Sequence, residues 1–329
     1  MTGVALLGTG FMASTHATSY AALDGVDVKV VCGLDADRVA ALAGRLGADA
    51  SDDWEAAVAA PGVDAVDVCL PTPLHRPVAL RALAAGRHVL VEKPIALTLE
   101  DADAIGAAAG VSGRVLMVGH VLRFFPEIAE LRRLLASGEL GKPLAATAIR
   151  LSPPPDWNDW MLDAERSGGT LVDLAIHDFD VLAAILGPVR RVHARAVADG
   201  RHVTAQVECE RGEGLVEGSH AMPVSYPFTA GLRVLCEGGV LEHRFVAGAG
   251  DEVSGSDVVS VLGVHPREGT ARELTAAADP WRVQLEHFLA CVRGGAAPSD
   301  GTFAQARAAL AVALAARRSV ASGLPEAVG

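Results

Sequence analysis

Over its first 120 residues the chain alternates short apolar runs with helix-patterned segments, an alternation that few folds accept. "GVALLG", "VDVKVVCG", "VDAVDVCLP", "HVLVEKP" and "RVLMVGH" read as five strands. Helical stretches separate them: one through Tyr20, then "DADRVAALAGRLG", "HRPVALRALAAG" and "TLEDADAIGAAAG", each ending at or near glycine. Strands joined through helices pair in parallel with right-handed crossovers, which gives a doubly wound parallel sheet.

Beyond residue 120 the pattern changes. After a helix near "PEIAELRRLLASG" come "PLAATAIRLS", "RRVHARAVA", "HVTAQVECER", "GLVEGSHA" and "TAGLRVLCEGG". These β-rich runs follow one another through short turns, as in an antiparallel sheet. One helical run, "GGTLVDLAIHDFDVLAAILG", interrupts them, and from Trp281 to about Ser322 the chain returns to helix. Residues 247–279 carry no readable pattern. The expected organisation is an α/β Rossmann domain over 1–120 and an α+β domain over 121–329. The second would hold a large, open, mainly antiparallel sheet, and its last helices could pack back on the first domain.

Composition narrows the function. A length of 329 residues suits two cores better than one. The balance of 28 basic against 40 acidic residues gives a net charge of −12, which repels polyanions and argues against nucleic acid or an anionic membrane surface. No window reaches ~18 uninterrupted apolar residues, so no membrane span is expected. Five cysteines stand without CxxC spacing, as reduced thiols do in a cytoplasmic protein. Residues 1–12 have no basic region and no cleavage-like site, so no signal peptide is expected.

"VALLGTGFMA" sets Gly8, Gly10 and Ala13 directly after the first strand. This is a G-x-G-x-x-G/A fingerprint in its required place, strand before and helix after. Gly8 permits the tight turn, Gly10 lets backbone approach a pyrophosphate, and Phe11 and Met12 lie between Gly10 and Ala13 beside it. A glycine turn that merely packs well is the competing reading. The fingerprint expects an acidic residue at the end of the second strand, to hold ribose hydroxyls. Here Gly33 takes that place and Asp35 follows two residues later. Asp35 can still reach the ribose; Asp37 and Arg38 can cap and open the next helix, and Arg38 can alternatively meet a 2′-phosphate. Both NAD and NADP stay open, with NAD favoured.

"VLVEKP" ends the fourth strand in Glu92, Lys93 and Pro94. Ligands of doubly wound sheets sit beyond the carboxyl ends of the strands, and Pro94 holds Lys93 extended. A lysine against an apolar strand end can have its pKa lowered, which suits proton transfer; a solvated loop lysine is the alternative. In "LVDLAIHDFDVL" Asp173 and His177 are four apart, so one continuous helix would set them on one face, with Asp180 three further on. They read as an oriented imidazole, as a surface pair, or as metal ligands without a third at supporting spacing.

Taken in order, "GTGFMASTHA", "CLPTPLHRPVALRALAAGRHVLVEKPIA", "VGHVLRFFP" and "GGTLVDLAIHDFDVLAAILG" resemble the motifs of the glucose–fructose oxidoreductase, inositol dehydrogenase and rhizopine-catabolism (Gfo/Idh/MocA) family. The resemblance implies a nicotinamide cofactor and a sugar, cyclitol or polyol substrate. It makes Lys93, Asp173 and His177 the catalytic group and adds a cis bond before Pro94. It also implies that Pro71, Thr72 and His75, after the third strand, line the cofactor, although His75 could instead cap a helix. Glu92 could contact the cofactor side or balance Lys93. His120 and Arg123 would meet cofactor or substrate, whereas His16 reads as packing within the first helix. Trp157 and Trp160 could stack on a sugar ring or anchor a Pro-rich loop. A homodimer or homotetramer through the second sheet is expected, and no metal. The rivals are a non-catalytic dinucleotide or sugar sensor, against which the joint presence of Lys93, Asp173 and His177 argues, and a metal-assisted lyase or hydrolase.

Overall fold

The computed structural model describes residues 1–155, 159–248, 258–275 and 278–329. The chain begins β1 (Thr2–Leu7), α1 (Phe11–Ala21), β2 (Val26–Cys32), α2 (Ala36–Leu46), β3 (Asp49–Ser51), α3 (Trp54–Ala59), β4 (Ala65–Val68), α4 (His75–Ala84), β5 (His88–Glu92), α5 (Leu99–Ser112) and β6 (Leu116–Gly119). It continues α6 (Pro126–Ser137), β7 (Pro143–Leu151), α7 (Asp159–Leu162), α8 (Ala164–Ser167), α9 (Gly169–Asp173), α10 (Ile176–Leu186), β8 (Val189–Val197), β9 (His202–Cys209) and β10 (Gly212–Ser219). β11 (Phe228–Cys236), β12 (Gly239–Ala247), β13 (Val259–Pro266), β14 (Arg272–Leu274), α11 (Pro280–Gly294), α12 (Phe303–Ser322) and β15 (Glu326–Ala327) complete it.

Two compact units emerge, both discontinuous in sequence: Met1–Phe124 with Ala278–Arg307, and Phe125–Ala277 with Ala308–Gly329. In the first unit six parallel strands run in the order β3-β2-β1-β4-β5-β6. This is the doubly wound Rossmann order, with its reversal between β1 and β4. β3 is the strand that the sequence pattern did not disclose: three residues with two exposed have no apolar signature. β1 and β4 are buried along their whole length, as expected of strands covered on both faces. α1 packs Ala13, Ala17 and Tyr20 into a core that also takes Leu285, Phe288 and Leu289 of α11. α11 is started by Pro280 and by Asp279, whose carboxylate caps the Trp281 N–H, and it stops at left-handed Gly295.

The second unit is built on a nine-stranded open sheet, β14-β13-β12-β11-β7-β10-β9-β8-β15. All its pairings are antiparallel except β7 with β10. α10 lies on one face, where Ala146, Ala148 and Arg150 of β7 are buried. The single helix expected over 168–187 is in fact two. The Thr170 carbonyl accepts from both Leu174 N and Ala175 N, which widens the turn, and α10 then restarts at Ile176. Ala175 is wedged over β10, with its Cβ 3.4 Å from where a Cβ on Gly218 would lie. No helix among the described residues is long and apolar enough to cross a membrane.

Candidate active site

The glycine turn after β1 has the shape that its sequence implies. Gly8 has φ of +120°, and a Cβ there would lie 2.3 Å from the Cys69 carbonyl oxygen, so glycine is required on two counts. Gly10 differs: a Cβ there would meet nothing within 4 Å. It occupies the N-cap of α1 in extended conformation, and no side chain caps the helix. The first-turn N–H groups of α1 therefore stand at the strand end with open space beside Gly10, a setting that suits a dinucleotide pyrophosphate. Phe11 and Met12, both half-buried, open the helix.

Gly33 explains why the expected acidic residue is absent. A Cβ at this position would come 2.8 Å from the Thr9 methyl and 3.2 Å from Val39, so the glycine turn itself excludes any larger residue. Asp35 caps α2, accepting from Arg38 N at 3.1 Å, and its other oxygen pairs with Arg38 Nε at 3.2 Å. Capping of α2 thus falls to Asp35, not Asp37, and Arg38 is paired with it on the exposed side of the helix start.

Of the three residues expected to line the cofactor after β4, Pro71 caps a short 3₁₀ turn and Thr72 is buried in it. His75 corrects the expectation. Its ring is buried, with Nδ1 2.9 Å from the Pro94 carbonyl and Nε2 2.8 Å from that of Leu70. Burial lowers its pKa despite these carbonyls, and the Lys93 charge adds to the effect. The ring is lodged between the β4 and β5 loops, against one carbonyl of each, and a neutral ring donates its single N–H to one of the two.

Lys93 follows β5, half-buried, and the Lys93–Pro94 bond is cis, as the resemblance implied. Glu92 turns toward the protein interior at the end of β5. Its carboxylate is buried; Oε2 accepts from Lys93 N at 3.2 Å and Oε1 lies 3.6 Å from His16 Nε2. His16, a residue that the sequence pattern suggested only packs within α1, turns out to be the centre of a buried network. Its Nδ1 lies 2.8 Å from Asp67, which also accepts from Tyr20 Oη at 3.0 Å and from Cys69 Sγ at 3.4 Å. Burial alone would lower the imidazole's pKa; the Asp67 charge and hydrogen bond, then Glu92 and Asp279, more than offset it and raise the pKa. Burial raises that of Glu92, against the pull of His16 and Lys93. His16, Asp67 and Cys69 are close enough to suggest a metal trio, but at 2.8 Å His16 and Asp67 satisfy each other as a hydrogen bond.

His120 is buried after β6. Arg123 is also buried and donates to Asp300 at 3.1 Å, so its guanidinium holds the segment after α11 to the β6 exit.

In the second unit Asp173 ends α9 and His177 lies in the first turn of α10. The wide turn at Leu174 and Ala175 puts the two on successive helices, not on one continuous helix as expected. Asp173 is buried 3.7 Å from His220 Nε2, just beyond β10, while His177 is half-buried. Asp178, next to His177, forms a buried two-bond fork with Arg150 of β7 at 2.9 and 3.0 Å. Asp180 is buried within α10. Trp160 is half-buried in α7, and Trp157 lies outside the described residues. His220, Arg150, Asp178 and, in the network around His16, Tyr20, Asp67 and Gln284 escaped the sequence reading. A charged residue at an inward strand position, as with Asp67 in "VDAVDVC" and Arg150 in "ATAIRLS", was the available signal.

Comparison with known proteins is consistent with this geometry. Residues 2–120 match the family model described as "Oxidoreductase family, NAD-binding Rossmann fold", and residues 128–242 match "GFO/IDH/MocA C-terminal domain". A scyllo-inositol 2-dehydrogenase (NAD(+)) of Bacillus subtilis (strain 168) is 29% identical over 344 residues, covering 98% of this chain and 94% of that protein. A myo-inositol dehydrogenase of Streptomyces leeuwenhoekii is 32% identical over 281 residues, with 80% of each covered. Among solved structures, a levoglucosan dehydrogenase in complex with NADH and levoglucosan superposes with a TM-score of 0.84, 21% identity and 99% of each chain covered. That likeness carries the fold.

Proposed function

The chain belongs to the Gfo/Idh/MocA oxidoreductase family, and on that premise we propose that it is an NAD(P)-dependent dehydrogenase of a sugar, cyclitol or related polyol. The observation that carries the reading is the open N-terminus of α1 at Gly10, at the strand end where a Rossmann sheet takes its dinucleotide. The names of the relatives, inositol dehydrogenases among them, support the substrate class.

The first-turn N–H groups of α1 would hold the pyrophosphate, and the nicotinamide, when bound, supplies the hydride acceptor. Lys93 holds the substrate oxygen that becomes the carbonyl. His177 takes that hydroxyl's proton, and Asp173 orients the polar groups around it. Reduction of the ketone uses the same groups, with His177 as the acid. NAD is favoured over NADP, since Arg38 is paired with Asp35. A homodimer or homotetramer would use the sheet face on which the register sets Ile149, Leu215 and Leu235 outward. Five cysteines without paired spacing support a cytoplasmic location as part of this reading.

The test is a panel of polyols, cyclitols and keto-sugars followed by nicotinamide absorbance with each cofactor. Lys93→Met is expected to lower kcat by about 10²–10⁴ with cofactor binding retained. Unchanged turnover in that variant would remove Lys93 from the chemistry.

A further inference from the structure

The buried network under the glycine turn ends on the residue to which the proposed chemistry assigns the substrate oxygen. Five side chains converge there from four segments of the first unit. His16 and Tyr20 come from α1, Asp67 from β4, Glu92 from β5 and Gln284 from α11, whose Nε2 is 3.5 Å from His16 Nε2. His16 and Asp67 are fully buried, and Glu92 is 7% exposed. A helix histidine needed only for packing would not gather two carboxylates in a core, where each unpaired charge costs several kcal/mol.

The strand beside Glu92 is built around that carboxylate. A Cβ on Gly119 of β6 would sit 2.6 Å from Glu92 Oε1 and 2.9 Å from its carboxyl carbon. Glycine at 119, paired in register with Glu92, leaves the space in which the carboxylate turns back toward His16. From that position Oε2 accepts the Lys93 N–H, at the point where the chain leaves the sheet.

We propose that His16 is a positioning residue: by pairing with Glu92 across the buried network it fixes the carboxylate that holds Lys93 and sets the charge that Lys93 meets. The inference rests on the reading of Lys93 as the group at the substrate oxygen. His16 touches neither substrate nor cofactor in this scheme and acts only through Glu92. The titratable groups that face the pair are Asp67, Tyr20 and Cys69, with Asp279 before α11 and the Lys93 ammonium itself. Tyr20 and Cys69 stay protonated, because burial raises both pKa values and Asp67 raises them further. The network therefore sets one imidazole, its pKa raised chiefly by Asp67, against the carboxyl groups of Asp67 and Glu92. Removing the imidazole takes away one of the groups that pull the Glu92 pKa down, which disfavours the charged carboxylate beside Lys93.

The chain has three lysines, Lys29, Lys93 and Lys142, so amine labelling with trace acetic anhydride, read by peptide mass spectrometry, reports on Lys93 with two internal references. The measurement needs no substrate, so it stands even if the polyol panel finds none. His16→Gln and Glu92→Gln are each expected to raise Lys93 labelling near pH 8 by about threefold or more relative to Lys29 and Lys142. The double variant should add nothing, because both changes act through one carboxylate. Gly119→Ala, which pushes on Glu92 and leaves the His16–Asp67 pair intact, is expected to move Lys93 labelling too, and it decides the matter if His16→Gln does not fold. With a substrate in hand, His16→Gln should lower kcat about tenfold or more with the cofactor KM within about twofold of the parent. A network that merely stabilises the strand ends would lower Tm and leave Lys93 labelling at the parent rate in every folded variant. That result, or multiplicative effects in the double variant, overturns the proposal.

Discussion

Each unit buries an ion pair against its sheet, and the two pairs are built on opposite plans. In the second unit Arg150 and Asp178 close on each other through two parallel hydrogen bonds, and the pair clamps α10 to β7. In the first unit a single imidazole serves two carboxylates, and one of these, Glu92, continues to the backbone of Lys93. The closed fork fixes an element; the open network transmits to a residue. Their pH responses are opposed as well. The His16 pKa is raised, so its contribution is full below the ordinary histidine value and fades as pH rises through the folded one. His243, buried on β12 near the fork, is held neutral by burial and then by Arg150, with its pKa down at about 4.

Cutting the closed fork should have the largest effect. Arg150→Met leaves Asp178 buried and unpaired and is expected to cost about 3–5 kcal/mol, whereas Arg150→Met with Asp178→Leu should recover most of it. Urea unfolding of the three proteins measures this, and equal losses in single and double variants would mean that the fork is not the source. Acid comes next. The unfolded chain protonates a histidine near pH 6.5, but folded His243 waits until about 4, so stability falls as pH drops through that window, by about 3 kcal/mol at most. Thermal scans across the range should flatten in His243→Leu; an equally steep loss in that variant would assign it to other groups. The smallest change falls on the open network. Tyr20→Phe removes one donor from Asp67 and should cost about 1–2 kcal/mol, less than the fork because His16 still pairs the carboxylate. A loss as large as that of Arg150→Met would erase the distinction between the two plans.

The parts legible in the sequence were those carried by local rules. The Rossmann alternation, the glycine turn, the strand ending in Lys93 and the open antiparallel sheet all follow from periodicity, glycine placement and motif order. β3 was too short and too exposed to leave a pattern. Asp173 and His177 looked like parts of one helix, because nothing in "LVDLAIHDF" marks the wide turn that closes on the Thr170 carbonyl. His16 looked like packing, since an imidazole on a helix face has no local sign of carboxylates 51 and 76 residues away. Long-range pairing of this kind is decided by topology, which brings β1, β4 and β5 side by side. Gly33, by contrast, was correctly seen as an anomaly, and its cause is the Thr9 methyl against it.

The split of the first unit also has a consequence for synthesis of the chain. All six of its strands leave the ribosome before residue 120, yet Leu285, Phe288 and Leu289, which cover α1, come more than 150 residues later. Until then the face of α1 bearing Ala13, Ala17 and Tyr20 has no permanent cover, and His16 lacks the amide of Gln284. A nascent chain paused within the second sheet would therefore expose an apolar helix face beside a half-built charge cluster, and that interval is when a chaperone holding apolar surface would matter most.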